Sequence, residues 1–389
     1  MDRNSVWLMR RPPSRLVAGG ALVLIVTLAL PAPLLAASAT ERAKRKVLRV
    51  IEADLAANPT VPSEAVAVRA PGLDFAVAAG SADVANDVPL RAGTPFRIAS
   101  VTKTFIAAAV LRLVEQHEIR LGDPITKHLP PETVALLRAD GYRPRDITVR
   151  QLLRHTAGLF DYATSPEYDE LNTSDPTHHW TAAEQLAFAT ERGDPIAAPG
   201  EQFHYSDTGY VLLGQIIERT TGEPLAAAVR RLLRSHQLGL DHTYWEQYET
   251  PPPGSGERAH QYAGEFDNIA LDASSDLYGG GGLVSTVSDL TRFFRALFHG
   301  KVIGKRLLRT MTEVPRAGRA RGAGMGIFRV DLDGETCYEH PGYWGTEAIH
   351  CPRLDLTIAR TTNQAYDADF DSGPLERAVA DLARTRGKS

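Results

Sequence analysis

The segment Phe96-Arg97-Ile98-Ala99-Ser100-Val101-Thr102-Lys103 leads an apolar run into a helix and places a serine three residues before a lysine. The run continues to Gln116 through a middle rich in Ala, Leu and Val, which predicts a buried helix. Residues three apart share one helix face, and N–H groups at a helix start can point at a developing oxyanion. The segment therefore predicts a nucleophilic Ser100, with Lys103 able to take its proton if burial lowers the lysine pKa.

Strand patterns lie near both ends of the chain, and helical patterns lie between them. Residues 65–70 and 73–79 flank Pro71-Gly72 and predict a hairpin, while residues 324–362 return to strand periodicity. From residue 121 to about residue 278 the pattern changes to short helical pieces. One sheet built from distant parts of the chain, with a helical subdomain inserted in the middle, is therefore expected, and the active site should lie between the two.

Residues 1–39 have the layout of a secretory signal peptide. Arginines extend to Arg15, an uncharged apolar run follows, and Ala-Ser-Ala at 37–39 forms a small-residue cleavage site. An uncleaved membrane anchor is the alternative, because no charge appears between Arg15 and Glu41 and that length can span a bilayer. Cleavage after residue 39 leaves residues 40–389 as the enzyme domain. This domain is expected to be periplasmic or extracellular, with membrane contact only if the N-terminal segment is not cleaved.

Composition and charge exclude some classes of function. The 389 residues are 43% hydrophobic and 23% charged, with a net charge of −4, which is ordinary for a globular protein. Removal of residues 1–39, with four arginines and one aspartate, makes the charge −7. A mildly acidic chain has no electrostatic footprint for nucleic acid, so no nucleic-acid partner is expected.

The sequence shows no recognisable metal or cofactor motif. His178 and His179 are adjacent and point in different directions, and neither His-Glu-x-x-His nor a Cys/His cluster occurs. The glycines at 279–282 lack the following Lys-Ser or Lys-Thr of a phosphate-binding loop. Neither a metal nor another cofactor is therefore expected.

Two further short motifs carry groups suited to catalysis. Tyr205-Ser206-Asp207 precedes a helical run, and a phenol there can shuttle a proton between nucleophile and leaving group. Alone, this motif also fits a turn whose Asp207 caps the next helix. His340-Pro341-Gly342 lies on a late strand, where glycine lets a substrate backbone approach, although alone it also fits an ordinary strand end.

Together the three motifs resemble the serine β-lactamase and DD-peptidase superfamily, whose elements are Ser-x-x-Lys, Tyr-x-Asn or Ser-x-Asn, and Lys-Thr-Gly or His-x-Gly. The Tyr and His forms are similar to the branch with class C β-lactamases, DD-carboxypeptidases, D-aminopeptidases and β-lactamase-like esterases. Residues 152–159, Leu-Leu-Arg-His-Thr-Ala-Gly-Leu, resemble that branch's Leu-Leu-x-His-Thr-Ser-Gly-Leu, and the likeness covers most of residues 90–365. The resemblance implies an α/β (α+β) fold, with an antiparallel sheet flanked by helices and an inserted all-helical subdomain.

The resemblance also implies a role for each site residue. Ser100 attacks the carbonyl, Lys103 and Tyr205 manage its proton, and water then releases the acyl group. The N–H groups of Ser100 and Tyr343 form the oxyanion hole. The residues expected to contact substrate are Asp207, His340, Gly342 and Tyr343.

Asp207 departs from this pattern, because the family has Asn at that position. An Asn amide donates a hydrogen bond to a substrate carbonyl, whereas an ionised Asp only accepts. Asp207 can pair with Lys103, which would keep the amine charged and a poorer base, or meet the ammonium of a free-amine substrate. It can also cap the following helix and point away, so three interpretations remain open.

His340 stands where other members carry a permanently charged lysine. An imidazole near its usual pKa is mostly neutral at pH 7, so carboxylate-bearing substrates would be held less firmly. Modest β-lactamase activity at best is expected, with better turnover of small esters or peptide-like amides.

Cys337 and Cys351 are the only cysteines, and an exported chain meets an oxidising compartment. If the strands turn about Trp344-Gly345, the two residues lie opposite each other at cross-strand distance. A Cys337–Cys351 disulfide is expected, and a packed pair of reduced thiols is the alternative.

The leading hypothesis is an active hydrolase of amides or esters, acting on a small molecule or peptide such as a peptidoglycan-type or D-amino-acid peptide. Esterase and D-aminopeptidase activities are close alternatives. A second class is an inactive binder of peptidoglycan or penicillin, but a pure binder has no need of Ser100, Lys103 and Tyr205 together. An envelope scaffold is a third class, for which the sequence offers no interaction surface.

Overall fold

The computed structural model describes residues 38–314, 323–365 and 373–386. The predicted signal segment lies outside these ranges, apart from its last two residues. In the described ranges, no helix combines the length and apolar character that crossing a bilayer requires.

The described helices are α1 (Ala39–Ala57), α2 (Thr102–Glu115), α3 (Pro131–Ala139), α4 (Val149–Leu153), α5 (Pro166–Ser174), α6 (Ala182–Arg192), α7 (Asp207–Thr221), α8 (Leu225–Leu233), α9 (Val287–Phe298), α10 (Lys305–Thr312) and α11 (Gly373–Arg386). The described strands are β1 (Ser63–Ala70), β2 (Leu73–Asp83), β3 (Val88–Pro89), β4 (Phe96–Arg97), β5 (Tyr244–Trp245), β6 (Tyr262–Ala263), β7 (Phe266–Asp267), β8 (Leu283–Ser285), β9 (Phe328–Leu332), β10 (Glu335–Gly342), β11 (Thr346–Cys351) and β12 (Leu356–Thr361).

Seven strands form one antiparallel sheet in the order β3-β2-β1-β12-β11-β10-β9. The predicted hairpin is present, with Ala70 paired to Leu73 across the turn. Early and late parts of the chain meet where β1 pairs with β12, for example at Val68 and Ile358. The predicted fold class is therefore confirmed, because distant strands assemble into one sheet flanked by helices.

The two faces of the sheet are buried against different helices. Val66 and Val68 of β1 belong to a core cluster with residues of α1 and α11. Ala65 and Ala67 point to the other face and join a larger core that includes α2 and α9. This alternation follows from the two-residue period of a strand. Because their side chains are small, these alanines allow the helices on that face to pack closely against the sheet.

Strand β8, which follows the central part of the chain, positions the start of α2. Helices α3 to α8 lie within residues 121–278, the predicted helical subdomain, together with the two-residue strands β5, β6 and β7. Strand β4 pairs with β8, and the Ile98 N–H donates to the Leu283 carbonyl at 3.0 Å. These bonds fix the chain two residues before Ser100.

Cys337 and Cys351 form a disulfide that links β10 to β11. Tyr338 pairs with His350, which places the two cysteines opposite each other. The three residues after Gly342 make the turn, and Gly345 adopts a left-handed φ of +71° there. The strand that carries His340 is therefore tied covalently to its neighbour.

We expect loss of this disulfide to lower the free energy of unfolding by about 3 kcal/mol, because a crosslink of this span restricts the unfolded chain. Denaturant unfolding of the oxidised protein and of the Cys337→Ala/Cys351→Ala variant measures the difference. Equal midpoints for both proteins would contradict the expectation.

Candidate active site

Ser100 lies in a short 3-10 turn, Ala99–Val101, immediately before α2. Ala99, the first residue of this turn, adopts a left-handed φ of +44°, and the α-helix begins at Thr102. Lys103 lies in the first turn of α2, and its Nζ donates to Ser100 Oγ at 2.9 Å. Ser100 remains partly exposed, whereas Lys103 is fully buried. The nucleophile therefore faces a cleft while its lysine is sealed inside the protein.

The Lys103 ammonium has an acceptor for each of its three protons. Besides Ser100 Oγ, it donates to Asp207 Oδ1 at 2.5 Å and to the Gly280 carbonyl at 2.7 Å. Burial alone would lower the lysine pKa, but the nearby Asp207, with Tyr205 and Asp276, raises it above its ordinary value. The Asp207 pair therefore favours a charged Lys103 that donates to the serine, which is the interpretation in which Asp207 makes the lysine a poorer base.

Asp207 occupies the first position of α7 but does not cap the helix. The cap is Ser206, whose side chain accepts from the Gly209 N–H. The Asp207 backbone N–H donates to Asp161 Oδ1 at 2.9 Å, and its own carboxylate turns to Lys103. The sequence left three interpretations of Asp207 open, and in the structure its carboxylate pairs with Lys103.

Two further carboxyl groups lie close to this ion pair. Burial and the Asp207 charge raise the pKa of both Asp161 and Asp276. Gly280 and Gly281 leave the space these groups need, since a Cβ on Gly280 would lie 2.3 Å from Asp207 Oδ1, and one on Gly281 would lie 1.7 Å from Asp276 Oδ2. Gly280 and Gly281 are therefore required by the packing of the Asp207 and Asp276 carboxyl groups.

Tyr205 completes the group around the nucleophile. Lys103 Nζ lies 5.1 Å from the centre of the Tyr205 ring. Burial raises the phenol pKa above its usual value, against the opposing effects of the Lys103 charge and of hydrogen bonds to Lys103 and Ser100. The resting state therefore contains a neutral Tyr205 beside a charged Lys103.

The third motif approaches Ser100 from β10. A Cβ on Gly342 would lie 2.5 Å from the Ile98 carbonyl oxygen, so only glycine allows this strand to pass so close. His340 is 1% exposed, and its Nδ1–H donates to the Pro341 carbonyl at 2.7 Å. Its Nε2 is buried without a hydrogen-bond partner among the described residues. Burial, reinforced by the Lys103 charge, lowers the His340 pKa to about 3, so the ring is neutral at physiological pH.

We expect the change in affinity for a carboxylate-bearing cephalosporin between pH 8 and pH 5 to agree within about twofold in wild type and His340→Asn, because a His340 with its pKa near 3 stays neutral while Asp276, with its pKa near 7, titrates in both proteins. Protonation of His340, and with it any gain in anion binding, would begin only as the pH falls further towards 3. Inhibition constants for the cephalosporin against turnover of a neutral ester measure this directly. Binding that tightens below pH 7 in wild type but not in His340→Asn would indicate an imidazolium.

Ser100, Tyr205 and Tyr343 line two adjoining cavities. One, of about 610 Å³, extends along the sheet side past Phe328 and His340. The other, of about 670 Å³, extends along the central helical segment. A substrate carbonyl at Ser100 would have room for its two substituents on opposite sides. This is the placement between sheet and helical segment that the sequence predicted.

Several polar groups of this site were not singled out as functional from the sequence. Asp161, Asp276 and the Gly280 carbonyl carry no motif signal, because they come from separate segments. His155 lies within the segment 152–159 that supports the family resemblance, but that pattern assigns it no role. Its ring stacks on Tyr205 with centroids 4.3 Å apart.

Within residues 38–314, 323–365 and 373–386, no group of three His, Cys, Asp or Glu side chains is placed to hold a metal ion.

A family profile described as Beta-lactamase matches residues 48–382. Esterase EstB from Burkholderia gladioli is 30% identical over 352 residues, which cover 79% of this chain and 87% of that protein. Penicillin-binding protein 4* from Bacillus subtilis (strain 168) is 25% identical over 77% of this chain and 67% of its own length. Among solved structures, the D-amino acid amidase from Ochrobactrum anthropi SV3 complexed with D-phenylalanine is 25% identical, with a TM-score of 0.75, and the match covers 89% of this chain and 99% of that chain.

Proposed function

The chain belongs to the beta-lactamase family of serine hydrolases, and we propose that it is an exported member that forms an acyl-enzyme on Ser100 from small neutral esters and amides. One observation carries the proposal. The Lys103 ammonium donates to Ser100 Oγ, and its pair with Asp207 keeps the ammonium charged. A neutral Tyr205 lies beside this pair. The signal-like residues 1–39 support export, and the Cys337–Cys351 disulfide agrees with an oxidising compartment.

Acylation proceeds by a proton relay through Tyr205. As Ser100 Oγ bonds to the carbonyl carbon, its proton passes to the phenol oxygen while the phenol proton passes to the leaving group. The C–O or C–N bond breaks, and the leaving group departs as an alcohol or amine. Lys103 keeps all its protons and stabilises the developing negative charge on Oγ. The relay suits a neutral phenol and a charged lysine, which are the states that their surroundings favour.

The carbonyl oxygen is expected to accept from the N–H groups of Ser100 and Tyr343 during this step. Ser100 lies in the turn that precedes α2, and Tyr343 directly follows β10. Gly342 allows the two segments to approach closely. Deacylation reverses the relay: water bonds to the acyl carbon and passes a proton to the Tyr205 oxygen, the phenol proton returns to Ser100 Oγ, the Oγ–acyl bond breaks, and the acyl group leaves as the acid.

The His340 side of the cleft favours neutral substrates. A neutral imidazole offers no charge to a substrate carboxylate, and Asp207 replaces the amide donor expected in the family. Both changes act against penicillins and against peptidoglycan peptides that end in a carboxylate. The 30% identity to an esterase over most of both chains supports small esters as the first substrate class.

Amides of D-amino acids with a free amine are the second candidate. Asp207 and Asp276 line the cavity on the helical side of Ser100, and the Asp276 carboxylate makes no hydrogen bond to another described residue. A substrate ammonium in this cavity would pair with Asp276 and favour the ionised form of that carboxyl group, whose pKa is otherwise raised by burial. The similarity to a D-amino acid amidase structure agrees with this candidate.

A substrate panel tests the proposal. The values of kcat/KM are compared for a short-chain nitrophenyl ester, D-phenylalanine amide and a chromogenic cephalosporin, each with wild type and Ser100→Ala. We expect the ester to be fastest, the cephalosporin slowest and the Ser100→Ala variant inactive on all three. If the amide exceeds the ester, the second candidate is the main activity. Faster cephalosporin turnover, or no turnover of any substrate, contradicts the proposal and in the latter case favours a binding protein.

A further inference from the structure

His155 is buried beside Tyr205 and belongs to no helix or strand. It follows α4 with a left-handed φ of +55°, and its side chain is 4% exposed. This backbone conformation is uncommon for a residue other than glycine and persists only where the surrounding structure requires it. The bonds that His155 makes show what this conformation achieves.

One residue, His155, holds both neighbours of Tyr205. The His204 N–H donates to the His155 carbonyl oxygen at 2.8 Å. The Ser206 N–H donates to His155 Nδ1 at 3.1 Å. Backbone and side chain of the same residue therefore fix the chain immediately before and immediately after the tyrosine.

The His155 ring also fixes the plane of the phenol. It stacks on the Tyr205 ring at 4.3 Å between centroids, with 22° between the planes. It stacks in the same way on Tyr210, at 5.0 Å and 27°. The Tyr210 hydroxyl in turn donates to the Leu153 carbonyl at 3.1 Å, which anchors the stack to α4. Tyr205 is therefore held at its backbone and across its ring.

This arrangement requires a neutral imidazole. Because Nδ1 accepts from the Ser206 N–H, the ring proton must lie on Nε2, which has no hydrogen-bond partner among the described residues. A second proton would sit on Nδ1 and oppose the Ser206 N–H. Burial, reinforced by the Lys103 charge, lowers the His155 pKa well below its usual value, so the neutral form persists.

We propose that His155 is the positioning residue for Tyr205, holding the phenol oxygen in line between Ser100 Oγ and the leaving group. The inference rests on the proposed relay through Tyr205. A phenol displaced by about 1 Å transfers protons poorly, and displacements of that size cost on the order of 100-fold in rate. His155 itself exchanges no proton with the substrate.

Two variants separate the hydrogen bond to the Ser206 N–H from the ring stacking on Tyr205. His155→Asn keeps a side-chain acceptor and tolerates a left-handed φ but removes the ring, whereas His155→Phe keeps a ring and removes the acceptor. Rates on a nitrophenyl ester are normalised to active sites titrated with a fluorophosphonate, which removes any effect of misfolded protein. We expect kcat to fall by about 10- to 100-fold in each, with KM changed by less than about threefold.

His350→Phe is the matched control. His350 is also a buried histidine, with Nδ1 bonded to Thr357 Oγ1 at 2.8 Å and its ring stacked on Phe298 at 4.4 Å, but it lies in the sheet and does not line either cavity. Its kcat per active site should equal that of wild type.

A double-mutant cycle with Tyr205→Phe decides whether His155 acts through Tyr205. In the Tyr205→Phe background we expect His155→Asn and His155→Phe to lower kcat by less than about twofold further. Losses that add in full in that background, or a kcat per active site unchanged by both single substitutions, would overturn the inference. If Tyr205→Phe alone retains full activity, the relay itself is wrong, and the inference fails with the proposed function.

Discussion

Tyr205→Phe is expected to lower kcat/KM for a short-chain nitrophenyl ester by about 10²- to 10⁴-fold, the usual contribution of a positioned acid–base group. The reason is the charge state of its neighbour. Lys103 donates to Ser100 Oγ, to Asp207 and to the Gly280 carbonyl, so it has no lone pair with which to take the serine proton. Without the phenol, no other group of the described site is placed to relay the proton.

Tyr162→Phe provides the matched control for this substitution. Tyr162 is fully buried, and its hydroxyl has no hydrogen-bond partner among the described residues, so the same chemical change removes no bond. Its activity should remain within about threefold of wild type, as for a substitution that removes no interaction. A Tyr205→Phe variant as active as Tyr162→Phe would contradict the relay and return the proton to Lys103.

Asp207→Ala is expected to lower the free energy of unfolding by about 3–5 kcal/mol, because it leaves the fully buried Lys103 charge without its partner. Asp207→Asn keeps a hydrogen-bond acceptor and removes only the charge, so its loss of unfolding free energy should be smaller.

The same substitution should change which substrates react. Without the Asp207 carboxylate, less negative charge opposes the effect of burial, so the pKa of Lys103 falls and the amine becomes a better base. We therefore expect Asp207→Asn to gain penicillin acylation and to lose turnover of amine-bearing substrates.

Denaturant unfolding and pre-steady-state acylation measure these two effects. Asp146→Ala is the control, because Asp146 makes an exposed pair with Arg143 at 3.5 Å, and such pairs contribute about 0–1 kcal/mol. Equal stability of Asp207→Ala and Asp146→Ala would show that Lys103 does not depend on Asp207. Unchanged kinetics of Asp207→Asn on both substrate classes would show that the carboxylate has no part in specificity.

The sequence predicted the sheet and the local motifs because both rest on short-range patterns. The hairpin of β1 and β2 follows from alternating apolar residues around Pro71-Gly72, and β9 to β12 lie within residues 324–362, where strand periodicity was predicted. The serine-lysine contact follows from a spacing of three residues on one helix. Periodicity does not reveal the left-handed backbone of Ala99 at the start of this segment.

The electrostatics of the site could not be predicted in the same way. Lys103 and Asp207 lie 104 residues apart, and the sequence allowed Asp207 three different partners. Asp161 joins them by accepting from the Asp207 N–H, and Asp276 fits beside them because Gly280 and Gly281 leave room for its carboxyl group, contacts that exist in three dimensions alone. Burial lowers the pKa of Lys103 and pairing with a carboxylate raises it. The sequence could not show which effect is larger, because it does not reveal which carboxylate faces the lysine.

The most direct test of a covalent intermediate on Ser100 is intact-protein mass spectrometry after reaction with a fluorophosphonate. Wild type and Ser100→Ala are treated side by side, and the modified peptide is mapped. We predict one adduct per chain in wild type, located on Ser100, and none in Ser100→Ala. An unmodified wild type, or an adduct that persists in Ser100→Ala, would contradict Ser100 as the nucleophile.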